Sequence, residues 1–254
     1  MPQQPEFLSA GLQARHGFFT RLGGVSEGPF ASLNCSLSGQ DDRSLVLENR
    51  ARAARAIGAD PAALVGLSQV HEDEAVTVHL PWAPGMGPRG DAMVTRNPGV
   101  ALGIVTADCA PVLFSDPQAK VVGAAHAGWR GAVAGILEAT IRAMVGLGAE
   151  AGRIEAAVGP CIGQQSYEVA SDLRDAVLAR DPGDGRFFVP GLRAARWQFD
   201  LAGYCAARLE ASGLGKVVTL RIDTFAEVDR FFSHRRRTLA GGGPIGHQIS
   251  VIAV

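Results

Sequence analysis

Three segments of the 254-residue sequence end apolar, strand-like runs with a soft or borderline metal ligand. They are Gln69-Val70-His71, Ala107-Asp108-Cys109-Ala110-Pro111 and Ala124-Ala125-His126-Ala127-Gly128-Trp129-Arg130-Gly131. Two imidazoles and one thiolate suit Zn²⁺, and three protein ligands leave a fourth position for water or substrate. A structural zinc normally closes that position with protein, so the count points to catalysis. Taken alone, Cys109 reads first as a buried structural thiol and His126 as a hydrogen-bonded core histidine. Together they say more: both close strand-like segments joined by a turn at Asp116-Pro117, and a hairpin brings both to one end of a sheet. His71, ending a third such segment, completes the set.

Spacing alone leaves alternatives open. Cys109-x16-His126 does not match zinc-finger pairs, and there is no His-Glu-x-x-His helix. A metal-free arrangement stands beside the zinc one, with Cys109 as nucleophile and His126 or His71 as its base. Zinc and imidazolium both lower a thiol pKa, so sequence cannot separate them. Trp129-Arg130 begins a helix directly after His126, and unsatisfied N–H groups there suit phosphate or carboxylate. The competing reading is a packing tryptophan and a surface arginine. Thr20-Arg21-Leu22-Gly23-Gly24-Val25-Ser26 is a second candidate anion cradle, whose glycines permit close backbone approach. His16, His79, His234 and His247 have no companion ligands and read as structural.

The elements that must position these groups can be traced along the chain. A helix opens at Asp41-Asp42 and carries Leu45, Val46, Asn49, Ala53 and Ile57 at helical spacing, with Gly58 as its stop. An extended stretch runs from Leu64 to Val78 and carries His71. The Pro/Gly-rich connection Pro81 to Gly90 follows, then a strand at Ala92 to Thr95. Val100 to Val105 and Val112 to Phe114 form the most apolar β pair, and Lys120 to Ala125 the next strand. Gly128 to Gly146 reads as one helix with an apolar stripe of Val133, Ile136, Leu137, Ile141, Met144 and Val145. Further strands are expected at Ile154 to Val158, Val217 to Ile222 and Ile249 to Val254, with helices at Ser171 to Arg180 and Leu201 to Ser212. Strands and helices mix without a steady βαβ beat, which favours α+β over a doubly wound sheet. No internal repeat or long linker divides residues 1–254, so a single domain is expected.

Composition narrows the function classes. Hydrophobic content is 47% and charged content 19%, which fits a globular enzyme and excludes disorder. The net charge of −1 gives no reason to expect nucleic acid or an anionic membrane as partner; the cluster His234-Arg235-Arg236-Arg237 is too short to change that. Met1 to Glu6 lacks a basic region followed by an apolar one, and no run approaches a membrane span. Cys35, Cys109, Cys161 and Cys205 are scattered and read as free thiols. The expected compartment is the cytoplasm.

The chain resembles the laccase-domain, or multicopper polyphenol oxidase-like, family, whose members are also described as peptidoglycan editing factors and purine nucleoside phosphorylases. The resembling stretches include His16 to Ser26, Ser32-Leu33-Asn34, Glu48-Asn49-Arg50, Gln69-Val70-His71 and Gly90-Asp91-Ala92. They continue with Thr106 to Val112, His126 to Gly131, Gly159-Pro160-Cys161-Ile162 and Phe231 to Arg236. The likeness implies a single domain with a four-layer α/β/β/α core of mixed sheets. It implies that His71, Cys109 and His126 are metal ligands, for zinc and in some members copper. It also implies phosphorolysis of purine nucleosides (adenosine, inosine, methylthioadenosine) and deamination of adenosine, with Arg21 or Arg130 positioning phosphate. Asp108 is then a candidate acid or a brace for a ligand histidine. The editing-factor description implies a different reaction, a Cys109-dependent amidase acting on peptidoglycan precursors. A copper-dependent polyphenol oxidase is the third reading, although no His-x-His series of a multicopper site is present. Two departures from the family pattern bear on substrate preference: Asp223-Thr224-Phe225 replaces a Cys-Thr segment, and Gly246-His247 stands where Gly-Arg is common.

Overall fold

Strand β7 (Ala110–Asp116) and strand β8 (Val121–Ala127) are buried at every residue and pair antiparallel from Ala110↔Ala127 to Asp116↔Val121. Their turn is set by Asp116, whose Oδ1 accepts from the backbone N–H groups of Gln118 and Ala119, each at 3.0 Å. Lys120, at φ 53°, completes the reversal. The computed structural model describes residues 4–254.

This hairpin is the centre of a six-stranded sheet. In spatial order the sheet holds β13 (Lys216–Thr219), β9 (Glu155–Val158), β7, β8, β5 (Ala92–Thr95) and β4 (Ala75–Thr77). The outer pairs β13·β9 and β4·β5 are parallel and the inner ones antiparallel. A five-stranded sheet lies against it, ordered β1 (Phe7–Leu8), β2 (Arg15–Phe19), β14 (Gln248–Ala253), β6 (Ala101–Thr106) and β3 (Leu64–Val65). A small three-stranded sheet, β10 (Glu168–Val169), β12 (Trp197–Phe199) and β11 (Phe188–Pro190), flanks the pair.

Side-chain alternation makes the layers. Leu113 and Ala124 meet Leu102, Ile104 and Ile252 between the two large sheets. Val112, Phe114 and Ala125 point the other way, onto α3 (Ile136–Gly146), α4 (Ser171–Arg180) and α5 (Leu201–Ala211) through Leu137, Ile141, Leu173, Val177 and Tyr204. On the far side Ala101, Ile249 and Val251 pack on α1 (Arg43–Ala56) through Ala53 and Ala54. The order is therefore α/β/β/α with mixed sheets, the expected α+β architecture. Strands buried on both faces explain why the apolar runs read as continuous and not alternating. Among the described residues, no helix is long and apolar enough to cross a membrane.

The expected elements differ from the structure in four places that matter. The apolar pair Val100–Val105 and Val112–Phe114 is split between sheets, β6 in one and β7 in the other, so Ala107-Asp108-Cys109 is a link between layers and not a hairpin turn. The stretch Leu64 to Val78 is strand only at Leu64–Val65 and Ala75–Thr77; His71 lies between them on a loop, with φ at 65°. The helix expected from Gly128 to Gly146 breaks at Gly135, at φ 111°, into α2 (Trp129–Ala134) and α3. One helix, α6 (His234–Leu239), stands where the sequence showed only a basic cluster.

Candidate functional site

The register Pro111↔His126 puts Cys109 and His126 at one end of the hairpin, as the turn at Asp116-Pro117 implies. His71 reaches them from its loop. The ligand atoms of His71, Cys109 and His126 all lie within 4.8 Å of one another. Cys109 Sγ is 3.8 Å from His71 Nε2, and the two imidazole rings meet edge to face at 4.6 Å between centroids. His126 is buried, Cys109 half-buried and His71 exposed.

Asp91 organises this cluster, and reasoning from the residues did not assign it a role. His126 Nδ1–H donates to Asp91 Oδ1 at 2.7 Å, which fixes the tautomer and aims Nε2 at the triad. The other oxygen, Oδ2, accepts from the backbone N–H groups of Val70 (3.1 Å) and Glu72 (2.8 Å) on either side of His71. One fully buried carboxylate thus braces two ligands. The available signal was its place in Gly90-Asp91-Ala92, at the start of a buried strand where an acid needs partners. Gln69 anchors the same loop. Its amide pairs with both backbone groups of Val105, donating to the carbonyl at 2.8 Å and accepting from the N–H at 2.9 Å.

The site is also a charge arrangement. Burial resists ionisation of the Cys109 thiol, but His126 and His71 outweigh it and lower its pKa to about 6. Burial likewise opposes protonation of His126, and the Cys109 thiolate with Asp91 raises it to about 9. At neutral pH the metal-free pair is thiolate and imidazolium. The donor set fits a metal: a thiolate and two imidazoles converge, with one outer carboxylate behind them. Space is kept for it by Gly128, where a Cβ would lie 2.9 Å from His71 Cδ2 and 3.1 Å from Cys109 Sγ.

The triad forms part of the wall of a cavity of about 420 Å³ whose other lining residues include Trp129, Arg130, Tyr167, Arg235, His234 and His247. Arg130 stacks on Trp129 at 4.5 Å and Arg235 lies over Tyr167 at 5.4 Å, while Arg235 Nη1 donates to the Glu168 carbonyl. His234 and His247, expected to be structural, line this cavity; burial lowers the His247 pKa to about 4, so its ring is neutral at pH 7. Residue spacing could not place them there, because α6 and the segment before β14 reach the site only through the tertiary fold. The helix after His126 spans only the 6 residues Trp129–Ala134, too short to carry the expected helix-terminus anion site.

Asp108 belongs to the cavity wall but its oxygens are taken. Oδ1 accepts from the Thr224 hydroxyl at 2.7 Å; Oδ2 accepts from the Ser233 hydroxyl at 2.9 Å and the Arg235 N–H at 2.6 Å. It ties α6 to the link between the sheets and touches neither histidine ring. Asp223, at one departure from the family pattern, accepts from the N–H groups of Gly163 and Phe225 and from the Ser166 hydroxyl, and so shapes the loop before Tyr167. Arg21 is not brought to the cavity. Its Nε donates to the Ala31 carbonyl at 2.6 Å and its guanidinium covers the Phe232 ring. The neighbouring Gly24 serves packing, since a Cβ there would lie 2.0 Å from the Ser32 carbonyl oxygen.

The pattern of the family described as multi-copper polyphenol oxidoreductase laccase matches residues 15–254. A protein of Deinococcus radiodurans named purine nucleoside phosphorylase is 43% identical over 254 residues, covering 100% of this chain and 94% of that protein. A Streptomyces griseus protein of the same name is 42% identical over 226 residues, 89% of this chain and 90% of its own length. The crystal structure of a Bacillus licheniformis protein titled hypothetical protein YfiH superposes with a TM-score of 0.89 at 29% identity, covering 100% of this chain and 97% of that one. With the layered fold, the His–Cys–His cluster and a match over nearly its whole length, the chain belongs to the multi-copper polyphenol oxidoreductase laccase family.

Proposed function

We propose that this chain is a zinc-dependent purine nucleoside phosphorylase that cleaves adenosine, inosine and methylthioadenosine and also deaminates adenosine. The observation that carries the reading is the joint lining of one cavity: a His–Cys–His donor set beside two aromatic side chains, each stacked by an arginine. The relatives named purine nucleoside phosphorylase support the nucleoside and phosphate substrates. When bound, zinc supplies Lewis acidity at the wall of the cavity.

The chain's own residues do the rest. Trp129 and Tyr167 offer flat apolar faces for a purine, and the neutral His247 ring offers it a hydrogen bond. Arg130, exposed at the cavity, holds the phosphate that attacks the ribose carbon; Arg21 is engaged elsewhere. Asp91 keeps His126 oriented, and Asp108 acts as a brace for α6. The described cysteines are all unpaired, which fits a reducing, cytoplasmic setting.

A second reading is favoured by the low thiol pKa: a metal-free Cys109 hydrolase acting on peptidoglycan precursors, with an imidazole as its base. One experiment separates the two. Chromatography of adenosine, inosine and methylthioadenosine incubated with zinc-loaded protein is expected to show free base only with phosphate present, and inosine from adenosine without it. Chelation abolishes both. Intact nucleosides alongside a cleaved muropeptide precursor, unaffected by chelator, would transfer the assignment to the hydrolase.

A further inference from the structure

A second cavity, of about 200 Å³, adjoins the first and shares Ser36, Ser38, Gln69 and Val105 with it. Its wall includes Arg50, a charged side chain only 5% exposed in the middle of α1. One terminal nitrogen, Nη1, donates to the Cys35 carbonyl at 3.2 Å; the other, Nη2, has no hydrogen-bond partner among the described residues. No described carboxylate comes within the 4.0 Å of an ion pair. A guanidinium cannot shed its charge, so burial without an anion leaves an uncompensated cation in a region of low polarity. Natural cores rarely keep such a group without a function for it.

The surroundings are shaped around that charge. Gly66 leaves the space beside Nη2 open, since a Cβ there would lie 3.2 Å from it. Ser36, Ser38 and Ser68 line the same small space, and the Ser36 and Ser38 hydroxyls hydrogen-bond each other at 3.2 Å, so that pair keeps one O–H to donate to an oxygen ligand. The volume is ample for a phosphate group.

We propose that this pocket is an oxyanion subsite, built for a phosphate group, with Arg50 as its anchor. The phosphate is either free or carried by a substrate that reaches across from the larger cavity. The subsite is distinct from the place beside Arg130 where the function proposed above puts the attacking phosphate, and its binding does not depend on that function.

Calorimetric titration of zinc-loaded protein with inorganic phosphate, and separately with adenosine 5′-monophosphate, tests this. Arg50→Met is expected to weaken binding at least tenfold, with unchanged zinc content. Should Arg50→Met fail to fold, Ser38→Asp serves: Ser38 is exposed, and a carboxylate at the pocket mouth repels the same ligand. Arg50-dependent binding of phosphate identifies the free ion as ligand, and Arg50-dependent binding of the monophosphate alone identifies a carried phosphoryl group. If these variants match the wild type, or if phosphate affinity instead falls only in Arg130→Ala, the proposal is overturned. So too if wild-type protein binds neither probe, in which case water fills the pocket. Arg50-dependent binding in a protein that leaves nucleosides intact would keep the subsite and remove the phosphorylase reading.

Discussion

The two histidines of the triad are held by opposite means. His126 sits within a strand, 3% exposed, with its ring fixed by a buried carboxylate. His71 stands exposed on a loop, in left-handed backbone, and its backbone is held through the N–H groups of its neighbours and the Gln69 anchor. Cys109, at the start of β7, belongs with His126. The difference divides the site into a pair held at the sheet and a third side chain held on a loop.

The largest effect should come from removing the fixed pair. Cys109→Ala and His126→Ala are each expected to lower zinc affinity by more than the roughly 100-fold that an outer-shell change can cost, with His71→Ala falling short of both. Metal analysis after dialysis at matched free zinc checks the order; equal losses in all three would erase the distinction. Asp91→Asn comes next, because it loosens the brace on both sides at once. It should reduce metal affinity or turnover by about 10–100-fold, while far-UV circular dichroism stays native.

A smaller effect concerns pH. In metal-free protein the Cys109 pKa lies below that of a free thiol and the His126 pKa above that of a free imidazole. The thiolate contribution to stability is lost as pH falls through about 6, and the imidazolium contribution is lost as pH rises through about 9. Alkylation of Cys109 by iodoacetamide should rise about tenfold between roughly pH 5 and 7, following the thiolate fraction. His126→Gln should move that rise to higher pH; an unmoved profile would mean that His71 alone sets the thiol. The mildest perturbation is Gly128→Ala. Its methyl group crowds Cys109 and His71, but the contact is with side-chain atoms and not with backbone, so the cost in metal affinity should be about 1 kcal/mol, at the low end of the usual range for overpacking.

The same contrast explains what could be read from the sequence. Cys109 and His126 were legible as a pair because a hairpin is a local structure: its turn residues and buried strands lie within one short stretch of chain. The helices at Arg43–Ala56 and Ser171–Arg180 were legible for the same reason. His71 was legible as a candidate ligand but placed on a strand, since nothing local announces a positive φ at a histidine. Asp91, Arg235 and His247 come to the site from other parts of the chain, and although they lie in stretches that enter the family resemblance, no local spacing ties them to the triad. The assignment of Val100–Val105 and Val112–Phe114 to one β pair failed because a strand buried on both faces looks the same in either sheet.

The link Ala107-Asp108-Cys109 between β6 and β7 has a consequence for how such a protein can change over time. Asp108 takes φ 87° there, and its carboxylate is tied to α6. One inserted residue would turn Cys109 to the wrong side of the pleat and pull α6 out of place. At the other end of the same hairpin, the turn after Asp116 touches none of the site and can accept added length. Insertions are therefore confined to the end remote from the chemistry. The end that carries the His–Cys–His cluster is left to diversify by exchanging one side chain for another.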